Sequence, residues 1–391
     1  MTRLPKKLTQ KLQERSERNA LRELQRNSKK VDFVSNDYLG MAKNEAVFHK
    51  AYKLLKERNI LQNGSTGSRL LSGNSHLYEE TEQHLAAHYN AESALIFNSG
   101  YDANLGFFSA VPQRTDVVVF DEYIHASMRD GIRMGTAKSL KFKHNDLEDL
   151  GVILKKIRSN TEPSSDCYVV TESVFSMDGD SPDLPNLINL CRAYQCKLIL
   201  DEAHAIRGIN EAIDDGGIIG FHDEVLFARI VTFGKAMGVQ GAAILGSAPL
   251  KSYLLNFARS FIYTTALPPM TVASILTVIQ DATSAEFKKQ KESLKENIMI
   301  FTQQVSNLEM NNNFIPSASA IHCCVIPGNT SVKKIADVLQ KNGFDVRPIL
   351  SPTVPEREER LRFCLHSYNT HNEILEVLSI LAIEMKKEFH D

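Results

Sequence analysis

Residues 197–204 read KLILDEAH and residues 228–238 read ARIVTFGKAMG. Each is a short apolar run that ends abruptly on reactive residues: Asp201, Glu202 and His204 in the first, Thr232, Gly234 and Lys235 in the second. Runs of this length, rich in Val, Ile and Leu at successive positions, predict strands buried on both faces. The pattern recurs in SALIFN, DVVVF and CYVVTE before them and in AAILGS after them, with helical stretches such as LPNLINLCRAYQ in between. Strand, helix, strand repetition over residues 90–245 predicts an α/β fold, a largely parallel sheet wrapped by helices.

Working outward, a long helical pattern follows Pro268-Pro269. Beyond it, IHCCVIPG, SVKKIADVLQKNGFDVRPI and LRFCLHS read as strand, helix, strand and strand of a second, smaller α/β domain. The expected division is an N-terminal helical arm over 1–45, a large domain over 46–284 and a small C-terminal domain over 285–391.

The 391 residues carry 45 Lys and Arg against 47 Asp and Glu, a net charge of -2 that gives no global electrostatic reason to bind nucleic acid or an anionic membrane. No apolar run approaches the roughly 18–20 residues of a membrane span. The opening MTRLPKKLTQKLQERSERN lacks the apolar core of a secretory signal, so a cytoplasmic protein is expected. The first 30 residues hold ten basic and three acidic side chains. They read as a solvated helix with a thin stripe of Leu8, Leu12, Leu21 and Leu24. Six cysteines form no C-x-x-C pair, so no metal is expected and buried reduced thiols are.

In an open parallel sheet, ligands bind beyond the carboxyl ends of the strands. After ALIF comes Asn98-Ser99-Gly100-Tyr101-Asp102-Ala103-Asn104, a glycine turn into a helix whose first amides suit a phosphate, or simply a helix start. After KLIL stands Asp201, a carboxylate with little reason to end a central strand unless something cationic meets it. After IVTF stands Lys235, a surface residue if taken alone, or a desolvated amine free to attack a carbonyl. Together, the three would hold a phosphorylated aldehyde with a basic ring nitrogen, which describes pyridoxal phosphate. DEAH also invites a nucleotide-driven helicase, but no G-x-x-x-x-G-K-[ST] loop accompanies it.

The ordered series SNDYLG (35–40), GSTGSRLLSGNS (64–75), NSGYDAN, IHAS (124–127), HND (144–146), TESVFSMDGD (171–180), DEAH, TFGKAMG and RSFIYTTALPP resembles the α-oxoamine synthases, a family of fold-type I pyridoxal phosphate enzymes. The resemblance covers nearly the whole chain. It implies a PLP-dependent C-acyltransferase with a mostly parallel seven-stranded sheet in the large, cofactor-binding domain. VFSMDGDSPDL and VTFGKAMGVQGAAILGS, with Gly241-Ala242-Ala243 where sister branches carry Gly-Gly, are similar to the branch of biotin biosynthesis that joins L-alanine to a pimeloyl thioester. A sister synthase taking glycine or serine with another acyl-CoA is the alternative, and an idle scaffold homologue, which would lack Lys235, the rival from another class.

The residue roles implied by the resemblance are these. Lys235 matches the lysine that attaches the cofactor and then acts as general base. Asp201 would pair with the ring nitrogen, His204 and Ser176 would sit near the ring 3-oxygen, and His125 would stack on the ring. Thr232 with the backbone of Gly100 and Tyr101 would hold the phosphate, and Thr265 would reach in from a partner subunit, implying a homodimer. Arg347 matches the arginine that receives the substrate carboxylate, with Asn36 as a neighbouring polar contact and Arg22 near the acyl substrate. Plainer readings stand beside some of these: His125 as a core histidine, Ser176 as a loop cap, Arg22 as a solvated helix face. His144 reads as structural. The departures are Arg207 in a usually glycine-rich stretch after DEAH, Tyr78 where many members carry His, and an interrupted RP-PTVP motif over 347–355. All three bear on acyl-chain preference, and whether the acyl group arrives on coenzyme A or acyl carrier protein stays open.

Overall fold

The computed structural model describes residues 4–24, 29–160, 165–206 and 225–389. They form two compact units. The larger runs from Leu39 to Ser176 and from Asp180 to Lys291; the other joins the described residues up to Tyr38, residues 177–179 and those from Glu292 onward. The N-terminal segment is therefore grouped with the C-terminal unit, whereas the sequence suggested a separate arm over 1–45 and a boundary at 284/285.

The larger unit is built on seven strands: β1 (Ser93–Phe97), β2 (Val117–Asp121), β3 (Lys138–Phe142), β4 (Cys167–Glu172), β5 (Lys197–Asp201), β6 (Leu226–Thr232) and β7 (Ala242–Gly246). Their spatial order is β1-β7-β6-β5-β4-β2-β3. β7 is antiparallel to both β1 and β6, and every other pairing is parallel. Because β7 alone is reversed, the carboxyl ends of the other six strands share one edge.

Burial on both faces explains the continuous apolar runs. Val118, Val170, Ile199 and Ile230 join a core on one side, and Val117, Val119, Val169, Leu198 and Leu200 join another on the opposite side. Such positions are each worth roughly 1.5–3 kcal/mol in hydrophobic transfer, so the register is strongly specified. One strand centre is charged: Arg229 of β6 is buried, and its Nε lies 2.6 Å from Glu202 Oε2. β3, KSLKF, is the edge strand the apolar pattern missed. Its lysines are exposed, a composition that discourages edge-to-edge pairing.

In the other unit, β8 (Ile321–Val325), β9 (Arg347–Ile349) and β10 (Arg360–Cys364) form an antiparallel sheet in the order β9-β10-β8. The helices Asn329–Lys341 and His371–Phe389 also belong to this unit. Val31–Asp32 pairs in parallel with Phe344–Asp345, which ties the N-terminal segment to it. All six cysteines are buried and free. No helix among the described residues is long and apolar enough to cross a membrane.

The turn carrying Lys235 depends on Gly238. Its φ is +63°, and a Cβ there would meet the Ala42 amide nitrogen at 2.2 Å, far inside contact distance. The Gly238 amide donates to the Lys235 carbonyl at 2.8 Å, closing the turn. Gly238→Ala is expected to destabilise the protein by roughly 1–3 kcal/mol through this left-handed position and the backbone clash. Urea unfolding of the variant checks it, and an unchanged midpoint would contradict the assignment.

Candidate active site

The shared strand edge forms a cleft with about 170 Å³ of free volume, lined among others by Gly100, Tyr101, His125, Glu172, Asp201, His204, Thr232 and Lys235. These positions come from five separate segments that the sheet order brings together. Glu172 ends β4 and Asp201 ends β5, and the two are direct partners in the parallel register. Both carboxylates are buried. Burial, and then the field of Asp201, push Glu172 well above the ordinary carboxylic acid range.

Lys235 lies three residues beyond the end of β6, directly after Gly234, and is half-buried. Its Nζ stands 2.7 Å from His204 Nε2. Thr232 Oγ1 donates to the Gly241 carbonyl at 3.2 Å and accepts from the Gly234 amide at 3.4 Å. Helix α1 (Gly100–Ala110) starts against this point: a Cβ on Gly100 would fall 3.6 Å from Thr232 Oγ1. Ser99 caps the helix by accepting from the Asp102 amide at 3.1 Å.

His125 is the N-cap of helix α2 (Ala126–Met134). Its backbone N–H donates to Glu172 Oε1 at 2.6 Å, and its Nδ1 lies 2.8 Å from Ser127 Oγ. Burial is the main cause holding its pKa below the usual histidine value. Helices α1 and α2 approach closely because Gly131 has no Cβ; one there would sit 2.8 Å from the Asn104 carbonyl oxygen. That approach lets Asn104 Nδ2 reach both Asp201 Oδ2, at 2.8 Å, and Ser127 Oγ, at 3.0 Å.

Of the residues singled out in the sequence, Lys235, Asp201, His204, His125, Thr232, Gly100 and Tyr101 all line this cleft. Ser176 is buried in a turn following β4 and does not line it, and neither does Thr265. The Thr265 carbonyl accepts from Asn98 Nδ2 at 2.7 Å. Arg347, Asn36 and Arg22 belong to the other unit. There Arg347 pairs with Asp345 at 2.7 Å, Asn36 accepts from Arg362 at 3.1 Å, and Arg22 donates to Thr353 of the interrupted motif at 3.2 Å. Tyr78 is buried beneath the Arg69 guanidinium, 4.0 Å from its ring centre. Arg207 lies outside the described residues.

Glu172, Asn104 and Ser127 are lining residues that the sequence reading did not single out. Glu172 carried the same signal as Asp201, a carboxylate ending the apolar run CYVVTE. Asn104 and Ser127 stood within quoted motifs, but only the docking of α1 on α2 joins them.

The aminotransferase class I and II family model matches residues 28–381. The chain belongs to that family. An 8-amino-7-oxononanoate synthase of Emericella nidulans is 35% identical over 374 residues, 92% of this chain and 90% of that one. A solved 8-amino-7-oxononanoate synthase from Francisella tularensis superposes with a TM-score of 0.75 at 28% identity, covering 93% of this chain and 100% of that one. A serine palmitoyltransferase from S. paucimobilis, with a TM-score of 0.84 at 24% identity over 98% of this chain and 97% of its own, shares the fold. Within its family the chain is an α-oxoamine synthase, a PLP-dependent acyltransferase. The cleft's donor set suits that cofactor: an amine for its aldehyde, a buried carboxylate for its ring nitrogen, and helix-start amides for its phosphate.

Behind the His125 loop, His144 bridges two carboxylates, with Nδ1 2.9 Å from Asp121 and Nε2 2.8 Å from Asp180. Burial alone would lower its pKa, but the two carboxylate hydrogen bonds outweigh burial and lift it to about 10. An imidazolium favoured by folding contributes fully below its ordinary pKa, near 6.5, and its contribution disappears as pH rises through about 10. His144→Asn is therefore expected to cost on the order of 2 kcal/mol at pH 7, with the gap to wild type narrowing as pH rises from about 6.5 and levelling off by about pH 10. Thermal unfolding of both proteins across that range tests this; a pH-independent gap would contradict the charged bridge.

Proposed function

We propose that the protein is an 8-amino-7-oxononanoate synthase, condensing L-alanine with a pimeloyl thioester and releasing CO2 and the thiol. What carries the reading is the similarity to the Emericella nidulans enzyme, 35% identical across 92% of this chain. Gly241-Ala242-Ala243, the branch-marking triplet, sits where β7 begins, with both alanines fully buried. In the reaction a bond forms between alanine Cα and the thioester carbonyl carbon. The carbon–sulfur bond breaks, and the alanine carboxyl departs as CO2.

Bound pyridoxal phosphate supplies an electron sink for the carbanion at Cα. The chain's own groups bind, orient and move protons around it. Lys235 would hold the cofactor through Nζ and, once freed, take the Cα proton, with His204 Nε2 at 2.7 Å to receive or return it. Asp201, a buried carboxylate, would hold the ring-nitrogen proton and keep it in place. His204 would meet the ring oxygen and His125 would cover the ring face, while Thr232 and the Gly100 and Tyr101 amides would take the phosphate. Ser176 would act near the ring oxygen, and Thr265 would be delivered by a partner subunit in a homodimer. Arg347 receives the alanine carboxylate, with Asn36 beside it and Arg22 toward the acyl chain.

Thiol release measured with alanine, glycine or serine against pimeloyl-, acetyl- and palmitoyl-CoA tests the reading. Release confined to alanine with pimeloyl-CoA is expected. Release with glycine or serine and another acyl-CoA would move the protein to a sister branch. Asp201→Asn is expected to weaken cofactor binding and to lower kcat by about a thousandfold or more, in the range of removing a major electrostatic stabiliser. Full activity in that variant would overturn the ring-nitrogen assignment.

A further inference from the structure

A chain of side chains runs from Asp201 to His125, and the direction of each hydrogen bond in it can be derived. A carboxylate only accepts, so the Asn104 amide edge facing Asp201 Oδ2 at 2.8 Å must be its NH2 group. The same NH2 donates its second hydrogen to Ser127 Oγ at 3.0 Å. Having accepted there, the Ser127 hydroxyl turns its own hydrogen to His125 Nδ1, 2.8 Å away. The Ser127 backbone N–H points at the same Nδ1 from 3.2 Å. A proton on Nδ1 would face that amide hydrogen head-on, so Nδ1 is an acceptor and the ring hydrogen sits on Nε2.

We propose that Ser127 and Asn104 are positioning residues that hold His125 as the neutral Nε2–H tautomer and tie its orientation to Asp201. Water does not reach the links between Asn104, Ser127 and Asp201, which are each no more than 3% exposed. His125 is held at two points, since its backbone N–H donates to Glu172 while its ring Nδ1 is held by Ser127. Burial and the Lys235 and Arg129 charges keep the imidazole neutral against the opposing pull of Asp201 and Asp130. His125 thus presents a hydrogen-bond donor with no charge to the cleft. A cationic ring there would compete with Lys235 and with the ring-nitrogen proton for the negative charge of Asp201. The functional consequence rests on the reading of the cleft given above; the tautomer does not.

The experiment uses cofactor-loaded enzyme labelled with 15N-histidine, and reads the His125 ring nitrogens by two-bond proton–nitrogen correlation. Wild type is expected to show a protonated Nε2 and a bare Nδ1. Ser127→Ala keeps the backbone N–H to Nδ1 but loses the hydroxyl, so the Nδ1–H form is expected to become detectable as a minor tautomer. Its kcat is expected to fall about tenfold to a hundredfold with the alanine KM little changed, the scale of a small misplacement in an active site. Asn104→Ala, one link farther from the ring, is the second variant and is expected to act in the same direction. A protonated Nδ1 in wild type would overturn the proposal. So would folded variants that keep both the wild-type tautomer and the wild-type kcat. Predicted tautomers in an enzyme that fails to release thiol from pimeloyl-CoA would overturn the substrate reading and leave this one standing.

Discussion

Everything in the larger unit converges on two buried carboxylates, Glu172 and Asp201, facing each other at the ends of neighbouring parallel strands. Two such groups in a low-dielectric site cannot both be ionised cheaply. The structure resolves the conflict by environment. Asp201 accepts from Asn104 and from the Ala203 amide, whereas Glu172, pushed well above its usual range, accepts from the His125 backbone. On the proposed reading Asp201 would meet a cationic ring, while Glu172 clamps the loop that carries His125.

The sheet makes this possible at little local cost. Six strands run in one direction and end at one edge, so residues far apart in sequence meet there. The helices then refine the positions. Gly131 lets α2 come against α1, and Gly238 lets the Lys235 turn press on the Ala42 backbone. Neither glycine touches the chemistry, yet each sets where a reactive side chain stands.

The strands of this sheet were legible because both faces are buried, which writes an unbroken apolar run into each. β3 was not, because an exposed edge strand carries lysines where the others carry valines. Arg229 is hidden for the opposite reason: a charge inside an apolar run is tolerated through Glu202 and the Tyr89 carbonyl, whose proximity no linear pattern announces. Asp201 and Lys235 could be read as strand-end residues, and Gly100 as a helix-start glycine. Asn104 and Ser127 could not, since their partners are side chains that meet only after two helices dock. Ser176 and Thr265 were named by resemblance alone, and the cleft of this single chain does not include them among its lining residues.

The proposed chemistry requires Lys235 to be the amine that carries the cofactor. Borohydride reduction of the cofactor-loaded protein, followed by proteolysis and mass spectrometry, tests that directly. A phosphopyridoxyl group on the peptide containing Lys235, absent from Lys235→Ala, is the predicted result. The same group on another lysine, with Lys235 unmodified, would contradict the account.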